Sequence, residues 1–342
     1  MHKNAVRAII AGAGGYTGLE LARWLLRHPA IRIVALGSER LRGQRAADVL
    51  PGAPAALPLF AGEEETLAAE ADVALLCTPA EVSARVAPLL LARGVKVVDL
   101  SGAFRLRDPD AYPRWYGFAH PAPELLAEAR WSLPEVNGLP PAGTRLVANP
   151  GCYVTAVTLA LAPLVAAGIV EKDGLVADAK SGASGAGRKA EESLLLAELE
   201  GNTYAYRVGR HQHTPEIEQA IGASITLVTQ LLPVRRGILA TCHGRVVGGA
   251  TTAEAMQALS ARYEGARFID VEREPSRVSL RRVVHTNRAA LSVHVDPERR
   301  TVTAFAAIDN LVKGAAGQAI QNLNAVLGLP AETGLDAVTG GA

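Results

Sequence analysis

The sequence predicts an α/β protein with two domains, the first built on a parallel sheet and the second an α+β domain with a largely antiparallel or mixed sheet. The chain has 342 residues, more than one hydrophobic core usually serves. In the first half, short apolar runs alternate with helical patterns, as βαβ units require. From about residue 180, strand-like runs follow one another with few helices between them.

Five apolar runs in the first half predict parallel strands that are buried on both faces: Val6–Ala11, 31–36, 72–77, 95–100 and 145–148. Residues 19–27 and 81–92 carry apolar side chains at helical spacing and predict crossover helices. Residues 43–65 are rich in Pro, Gly and Ala and predict a surface loop region.

The second half contains four further strand-like runs: 225–234, 238–246, 289–295 and Thr301–Ile308. A helical pattern at 252–263 separates the second run from the third, and another at 312–327 closes the chain. We therefore expect residues 1–149 and 311–342 to form the first domain, which the last helix completes. Residues 150–310 are expected to form the second.

Composition excludes several classes of protein. Hydrophobic residues make up 49% of the chain and the formal net charge is +1, which argues against a disordered chain or a general nucleic-acid binder. The apolar stretch 154–170 contains Pro163 and Gly168 and is short for a membrane span, so it predicts a buried helix. Residues 1–4 run directly into the first strand, which indicates that no signal peptide precedes it.

The three cysteines, Cys77, Cys152 and Cys242, are widely spaced. No CxxC or Cys/His spacing suggests zinc, and a disulfide framework would need more cysteines in a shorter chain. The pattern is typical of a protein of the reducing cytosol.

A glycine-rich segment follows the first predicted strand and opens the first helix. It contains Gly12, Gly14, Gly15, Tyr16, Thr17 and Gly18. Glycines let the backbone approach a pyrophosphate, and the helix N-terminus offers N–H groups and a positive dipole end. The spacing GxGGxxG differs from a strict GxGxxG, and a turn needed only for packing is the alternative. In this strand–turn–helix position it predicts a Rossmann-type dinucleotide-binding domain.

The residues after the second strand bear on the choice of cofactor. NAD enzymes usually place an acidic residue there, whereas NADP enzymes place basic and small polar ones. Ser38 and Arg40 are suited to hold a 2′-phosphate, although Arg40 on a loop is also compatible with a solvated side chain. Glu39, an acidic residue in the same segment, is instead typical of NAD enzymes. The segment favours NADP over NAD.

Cys152 is the candidate nucleophile. It follows Asn149, Pro150 and Gly151 at the end of the fifth strand and begins a strongly apolar helix. A helix N-terminus stabilises a thiolate and so makes a cysteine there more nucleophilic. Cys77 and Cys242 lie within strand patterns and are expected to be structural.

His211 and His213 form the second candidate element. Thr214 and Pro215 predict the N-cap and first residue of a helix, so both histidines are expected on the loop before it. A metal site is one interpretation, but no further ligand completes it, and we predict none. An acid or base for a cysteine enzyme needs one imidazole near the thiol. Two exposed loop histidines remain the third possibility.

Seven segments together resemble one family. They read GGYTG (14–18), DLSxxFRL (99–106), LPE (133–135), NPGCYVT (149–155), KSGASGAGR (180–188), HQHTPEI (211–217) and NLVKGAAGQA (310–319). Over essentially its whole length the chain resembles the N-acetyl-gamma-glutamyl-phosphate reductases, which are related to the aspartate-semialdehyde dehydrogenases. The NPGCYVT and HxHTPEI segments are the specific ones.

The resemblance implies a role for individual residues. Cys152 would be the nucleophile and the histidine pair the acid/base element, with His213 favoured over His211. It also implies a substrate site that includes Arg105, Asn149 and Arg188. Besides the glycine-rich segment, Ser38 and Arg40, the implied cofactor site contains Thr78, Pro79, Ser101, Ser184, Gly185, Gly187 and Asn310. Members commonly read Ala-Asp where this chain has Gly102-Ala103, which leaves open how Arg105 is oriented.

The implied function is NADPH-dependent reduction of an acyl phosphate, N-acetyl-γ-glutamyl phosphate, to its semialdehyde through a cysteine thioester, a step of arginine biosynthesis. It also implies a cytoplasmic homodimer or homotetramer. A lysine-pathway relative that reduces carrier-linked aminoadipyl phosphate has nearly the same motifs and is an alternative. From another class, a regulatory protein that binds the dinucleotide without catalysis is a further alternative, against which the cysteine and histidines argue.

Overall fold

The structure is a computed structural model that describes residues 5–54 and 57–335. It divides into two compact units, one formed by the chain up to Pro150 and again from Ala315, the other by Gly151–Gly314. The sequence-based boundaries lie at 149/150 and 310/311. The signal-peptide prediction concerns residues 1–4, which lie outside the described residues, as do residues 336–342.

The first unit contains a seven-stranded sheet in the order β3-β2-β1-β4-β5-β7-β6, with every pair parallel. The strands are β1 (Val6–Ala11), β2 (Ile31–Gly37), β3 (Phe60–Ala61), β4 (Val73–Leu76), β5 (Lys96–Asp99), β6 (Arg130–Trp131) and β7 (Leu146–Ala148). All five predicted strands are present. The sheet continues on both sides of β1, so the loop after β1 lies at the carboxyl ends of neighbouring parallel strands, where such sheets bind ligands.

The helices of this part of the chain are α1 (Tyr16–Leu25), α2 (Ala46–Val49), α3 (Glu63–Ala68), α4 (Ala80–Ala92), α5 (Ala111–Tyr116), α6 (Glu124–Glu128) and α7 (Pro134–Asn137). Both predicted crossover helices are present as α1 and α4. The prediction of a loop region at 43–65 is wrong in part, because α2, β3 and the start of α3 lie there. These elements are too short for a periodic pattern to show in the sequence.

The second unit contains a mixed seven-stranded sheet in the order β12-β13-β14-β11-β8-β10-β9. The strands are β8 (Leu175–Gly182), β9 (Tyr204–Tyr206), β10 (Ile225–Leu232), β11 (Ile238–Arg245), β12 (Ile269–Val271), β13 (Ala289–Asp296) and β14 (Thr301–Ile308). The β8–β10 and β12–β13 pairs are parallel and the other four are antiparallel. The predicted fold class, a Rossmann-type domain followed by an α+β domain, is confirmed for both units.

The helices of the second unit are α8 (Cys152–Ala166), α9 (Leu196–Leu199), α10 (His213–Ile221), α11 (Thr252–Arg262) and α12 (Leu280–Val283). Helix α8 is apolar on all sides and almost wholly buried, as expected for a central helix. It is 15 residues long, and within the described residues no helix is long and apolar enough to cross a membrane.

Pro163 lies inside α8 and cannot donate the hydrogen bond that the Leu159 carbonyl would receive from a residue four positions later. The Tyr263 hydroxyl, just beyond α11, donates to that carbonyl at 2.7 Å. An unpaired buried carbonyl costs free energy, so this contact compensates for the proline.

The final helix, α13 (Gly317–Val326), belongs to the first unit and is buried along its whole length. Asn322 on α13 accepts a hydrogen bond from the Ser132 hydroxyl at 2.8 Å and donates to the side chain of Asn149 at 3.1 Å. The predicted helix at 312–327 is present, but Val312–Ala316 is wound as a π-helix ahead of α13.

Candidate active site

The glycine-rich loop between β1 and α1 has the shape that a dinucleotide requires. Gly12 has φ +74°, and a Cβ there would lie 2.5 Å from the Cys77 carbonyl oxygen. A Cβ on Gly14 would lie 2.2 Å from Ser38 Oγ. Gly15, the N-cap of α1, has no side chain to cover the first turn of the helix. The backbone can therefore approach a pyrophosphate at a helix N-terminus, and the residues present fit that group.

The end of β2 lies against this loop. The Arg40 guanidinium donates to the Gly14 carbonyl at 2.7 Å, so the side chain is not simply solvated. Ser38 Oγ accepts the N–H of Leu41 at 3.3 Å and adjoins Gly14. The Glu39 carboxylate accepts the N–H of Glu63 at 2.8 Å and therefore caps α3. The basic and small polar side chains at this strand end thus face the loop, whereas Glu39 is engaged elsewhere.

The ends of β4 and β5 bring three further predicted residues to the same edge of the sheet. The Thr78 hydroxyl is buried and lies 2.8 Å from the Ser83 hydroxyl, and Pro79 is the N-cap of α4. Ser101 donates its N–H to the carboxylate of Asp99 at 3.1 Å. Because the carboxyl ends of adjacent parallel strands meet at one edge, these residues belong to the same side of the sheet as the glycine loop.

Arg105 is buried in the first unit and held by backbone carbonyls. Its Nε donates to the Asn149 carbonyl at 2.8 Å and a terminal nitrogen donates to the Leu100 carbonyl at 2.7 Å. A Cβ on Gly102 would lie 2.0 Å from the Tyr116 ring, so that ring occupies the space beside this position. Two carbonyls therefore orient the guanidinium without an acidic residue at position 103.

The Asn149 side chain is itself engaged within the first unit. Its carbonyl oxygen accepts from Asn322 at 3.1 Å and its amide donates to the Ala315 carbonyl at 3.3 Å. Asn149 thus connects the end of β7 with α13, and its backbone carbonyl is the one that receives Arg105.

Cys152 is the first residue of α8, and two glycines make room around it. The thiol-bearing residue is half-buried, unlike Cys242, which is buried. A Cβ on Gly314 would lie 2.9 Å from the Cys152 Cβ. A Cβ on Gly151 would lie 2.3 Å from the Nε2 atom of His213. The imidazole is therefore packed directly against the residue that precedes the cysteine.

His213 is the first residue of α10 and is buried, with 7% of its surface exposed. The predicted helix start after Thr214 is wrong, because the helical turn already includes His213. The interpretation of two exposed loop histidines is also wrong, since His211 is 4% exposed. Within the described residues no group of three or more His, Cys, Asp or Glu side chains is placed to hold a metal ion.

Glu216, like His213, contacts Gly151. It lies three residues further along α10, on the same face, and is fully buried. Its Oε1 accepts the N–H of Gly151 at 3.2 Å. Carboxylate and imidazole therefore both contact Gly151, immediately before Cys152.

His211 contacts both the backbone and the ring of His213. Its Nδ1 accepts the backbone N–H of His213 at 3.1 Å, and the two rings are 4.7 Å apart between centroids. Burial, with a smaller contribution from the positive charge of Arg207, lowers the pKa of His211 to about 4. The ring is therefore neutral near pH 7, and because Nδ1 accepts, its proton is on Nε2.

Two tyrosines enclose the histidines. The hydroxyls of Tyr153 and Tyr206 are 2.8 Å apart, and the Tyr153 ring lies 5.4 Å from His211 and 6.0 Å from His213 between centroids. Burial raises the pKa of both hydroxyls, that of Tyr206 to about 12. The rings limit the movement of the imidazoles while the hydroxyls stay protonated.

The turn after β8 contains three of the remaining predicted cofactor residues, and the fourth, Asn310, follows β14 and contacts this turn. Ser184 Oγ accepts from the Asn310 amide at 3.0 Å, and the Asn310 oxygen accepts the N–H of Gly237 at 2.7 Å. A Cβ on Gly185 would lie 2.5 Å from the Ser181 hydroxyl, and Gly187 has φ +91°. Asn310 thus fixes this turn within the second unit. Arg188 follows the turn and is half-buried.

The other two cysteines are Cys77, which is half-buried like Cys152, and Cys242, which is buried. Burial raises the pKa of Cys77 and, with a smaller contribution from the charge of Asp178, raises the pKa of Cys242 to about 12. Both remain protonated near neutral pH, so neither is suited to act as a nucleophile.

Two family models match most of the chain. Semialdehyde dehydrogenase, NAD binding domain, matches residues 7–141, and Semialdehyde dehydrogenase, dimerisation domain, matches residues 152–310. The N-acetyl-gamma-glutamyl-phosphate reductase of Acidithiobacillus ferrooxidans is 42% identical over 96% of this chain and 98% of its own. That of Symbiobacterium thermophilum is 42% identical over 96% and 97%. The chain belongs to the N-acetyl-gamma-glutamyl-phosphate reductase family.

Solved structures share the fold of this family at low identity. Aspartate semialdehyde dehydrogenase II of Vibrio cholerae, complexed with ASA, has a TM-score of 0.71 at 18% identity, covering 94% of this chain and 98% of its own. Aspartate semialdehyde dehydrogenase of Candida albicans, with NADP, has a TM-score of 0.68 at 16% identity, covering 95% and 98%. The family resemblance predicted from the seven sequence segments is confirmed.

In this member of the reductase family, three residues that no sequence prediction named contact the candidate site residues. Glu216 and Tyr206 lie beside the predicted histidines, and Glu63 contacts the glycine loop. Glu216 stands in the HTPEI segment, three residues from His213, so helical spacing carried a signal for it. Tyr206 and Glu63 are distant in sequence from the residues they contact, and no pattern marked them.

Proposed function

We propose that the protein is an NADPH-dependent reductase that converts N-acetyl-γ-glutamyl phosphate to N-acetyl-glutamate 5-semialdehyde through a thioester on Cys152. The observation that carries the proposal is the half-buried thiol at the start of α8, next to a glycine against which the His213 imidazole packs. The identity of 42% to reductases of this name over nearly the full length supports the substrate.

Cys152 performs the first chemical step. Its thiolate attacks the acyl carbon, the sulfur–carbon bond forms, and the carbon–oxygen bond to phosphate breaks with its electron pair leaving on phosphate. The N-terminus of α8 favours the thiolate, and backbone N–H groups there stabilise the developing oxyanion. When bound, NADPH supplies the hydride that reduces the thioester.

His213 is the acid/base in this proposal, because its Nε2 faces Gly151 beside the thiol. It takes the Cys152 proton before attack. It gives that proton to the former carbonyl oxygen when the thioester is reduced. In the last step it takes the proton back from the thiohemiacetal hydroxyl, so that the carbon–sulfur bond breaks, Cys152 leaves as the thiolate and the aldehyde forms. Proton transfer of this kind is typically worth ~10²–10⁴-fold in rate. His211 is a positioning residue, since its neutral Nδ1 receives the His213 backbone N–H.

Cationic side chains hold the phosphate. Arg105 presents a planar guanidinium whose orientation the carbonyls of Leu100 and Asn149 determine, and Arg188 is a second ligand. Asn149 acts in this proposal through its backbone carbonyl, which receives Arg105. Its side chain is engaged elsewhere, because the oxygen accepts from Asn322 of α13 and the nitrogen donates to the Ala315 carbonyl.

The residues that the family resemblance implies for cofactor binding fall in both units. The loop Gly12–Gly18 holds the pyrophosphate, and Ser38 and Arg40 hold the 2′-phosphate. The adenosine half of the cofactor is also bound by Thr78, Pro79 and Ser101. Ser184, Gly185 and Gly187 in the second unit approach the nicotinamide, with Asn310 fixing their turn. We also propose that residues 150–310 carry the oligomer contacts of a homodimer or homotetramer and that the enzyme acts in the cytoplasm.

The reverse reaction tests the function directly. We expect phosphate-dependent reduction of NADP⁺ with N-acetyl-glutamate 5-semialdehyde, abolished in Cys152→Ala and retained in the matched control Cys77→Ala. Activity that survives Cys152→Ala would overturn the thioester mechanism. Activity only with the carrier-linked aminoadipate semialdehyde would overturn the substrate, and dinucleotide binding without any turnover would favour the regulatory alternative. The N-acetyl-gamma-glutamyl-phosphate reductases that are 42% identical to this chain support neither alternative.

A further inference from the structure

A carboxylate from α3 lies at the start of the glycine-rich loop. The Oε1 atom of Glu63 accepts the N–H of Gly12, the first glycine, at 3.1 Å. A Cβ on Gly37, the last residue of β2, would lie 3.1 Å from Glu63 Oε2. The half-buried carboxylate therefore lies between the first glycine of the loop and the end of the second strand.

In dinucleotide-binding α/β domains, this place is occupied by an acidic side chain from the end of the second strand, which binds the hydroxyls of the adenosine ribose. Here that strand end supplies none. Gly37 has no side chain, Ser38 Oγ receives the N–H of Leu41, and the Glu39 carboxylate caps α3 through the N–H of Glu63. Glu63, which belongs to α3, occupies this position instead.

Glu63 has the acceptor capacity for this task. A carboxylate offers about four acceptor positions, so the bond from Gly12 leaves capacity for hydroxyl donors. Burial raises the pKa of Glu63 and the negative charge of Glu39 adds to this, whereas the hydrogen bond from Gly12 opposes it. Hydroxyl donors would stabilise the ionised form further.

We propose that Glu63 binds the ribose hydroxyls of the adenosine half of the cofactor and so limits the preference of the enzyme for NADP over NAD. With NAD the carboxylate accepts from the 2′- and 3′-hydroxyls. With NADP it accepts from the 3′-hydroxyl alone and repels the 2′-phosphate that Ser38 and Arg40 hold. The inference rests on the proposed cofactor site of the first unit and adds to it a residue from α3.

The substitution Glu63→Gln tests this, because the amide oxygen still accepts from Gly12 while the charge is lost. Isothermal titration gives the dissociation constants of NADP⁺ and NAD⁺, and of the fragments 2′,5′-ADP and 5′-AMP. Since a hydrogen bond to a charged group is worth about tenfold to hundredfold in affinity, we expect NAD⁺ and 5′-AMP to bind at least about tenfold more weakly. NADP⁺ and 2′,5′-ADP should change by less than about threefold.

Glu64→Gln is the matched control, since Glu64 is exposed on the same helix and loses the same charge. It should leave the ratio of the two dissociation constants as in the wild type. An unchanged ratio in Glu63→Gln, an equal loss for both dinucleotides, or an equal shift in Glu64→Gln would each overturn the inference. Wild-type protein that binds neither dinucleotide would overturn the proposed cofactor site as well, so the two failures are distinguishable.

Discussion

Around Cys152, two missing side chains matter as much as those present. Gly151 has an ordinary backbone conformation, with φ −68°, that any residue adopts. Position 151 nevertheless requires glycine, because the His213 ring occupies the space that a side chain would fill. Position 314 requires glycine because a side chain there would collide with Cys152. The absence of a methyl group at position 151 thus lets His213, the proposed acid/base, approach the residue next to Cys152, the proposed nucleophile.

We expect Gly151→Ala to lower turnover in the reverse assay by ~10²-fold or more, because the new Cβ displaces the imidazole and removes most of its contribution. Steady-state kinetics would measure this. Alkylation of Cys152 by iodoacetamide and the thermal midpoint serve as controls for the thiol and the fold. Wild-type turnover in the alanine variant would show that His213 does not act from this position.

At the residue level, the sequence was sufficient to name a candidate where a reactive residue type stands at the boundary of a predicted helix or strand. Cys152 stands at a strand-to-helix junction, and the HxH pair stands at the start of α10. The sequence did not distinguish the two histidines, because their difference lies in three-dimensional contacts with Gly151 and Arg207. Glu63 resembled its neighbours Glu64 and Glu65, which are exposed.

Helix α8 shows how an element depends on a residue outside it. Pro163 removes one backbone donor, and Tyr263 replaces it with a hydroxyl from another part of the second unit. The helix presents Cys152 at its first residue, so the stability of its last turns supports the position of the thiol.

We expect Tyr263→Phe to lower the free energy of unfolding by about 1–3 kcal/mol, because the buried Leu159 carbonyl loses its donor. In a Pro163→Ala background the new backbone N–H can pair with that carbonyl, so the same substitution should cost much less. Urea unfolding of the four proteins would measure the difference as a double-mutant cycle. Equal costs in both backgrounds would show that the hydroxyl does not replace the proline's missing donor.

Helices and strands with long periodic apolar patterns could be predicted from the sequence, whereas short elements and elements of mixed composition could not. Strand β8 is central in the second sheet, yet most of its buried positions carry small residues such as Ala177, Ala179 and Ser181. Its sequence LVADAKSG therefore gave no clear alternation of large apolar with polar side chains. The start of α10 was misplaced by the Thr-Pro pair, because a proline is tolerated anywhere in the first turn.

At the scale of the whole molecule, the division into two units could be predicted because the order of elements changes along the chain. The exact return of the chain to the first unit, near Ala315, could not be read from the sequence. It falls within the π-helical segment Val312–Ala316, where no Gly/Pro-rich linker marks a boundary.

The pKa of His211 makes the stability of the folded chain depend on pH. The folded-state pKa of about 4 is below the ordinary 6.5, so the unfolded chain takes up a proton first. The stabilisation from the neutral ring is fully present above pH 6.5 and is lost as the pH falls towards 4, by about 3 kcal/mol. His28 and His120, whose pKa values are also lowered by burial, act in the same direction.

We therefore expect His211→Asn, whose side-chain oxygen can accept the His213 N–H, to show a smaller loss of stability between pH 7 and pH 4 than the wild type. Hydrogen–deuterium exchange of peptides from α8, followed at increasing urea, would measure this in the second unit. An identical pH dependence in the two proteins would contradict the assignment of a neutral, buried His211.

The return of the chain to the first unit through α13 has a consequence for biosynthesis. Asn322 supplies the partners of Ser132 and Asn149, so the dinucleotide-binding unit lacks these contacts until residue 322 has left the ribosome. The unit of Gly151–Gly314 is complete earlier. The residues of the unit that bears Cys152 have therefore all been translated before the last residues of the unit in which translation begins.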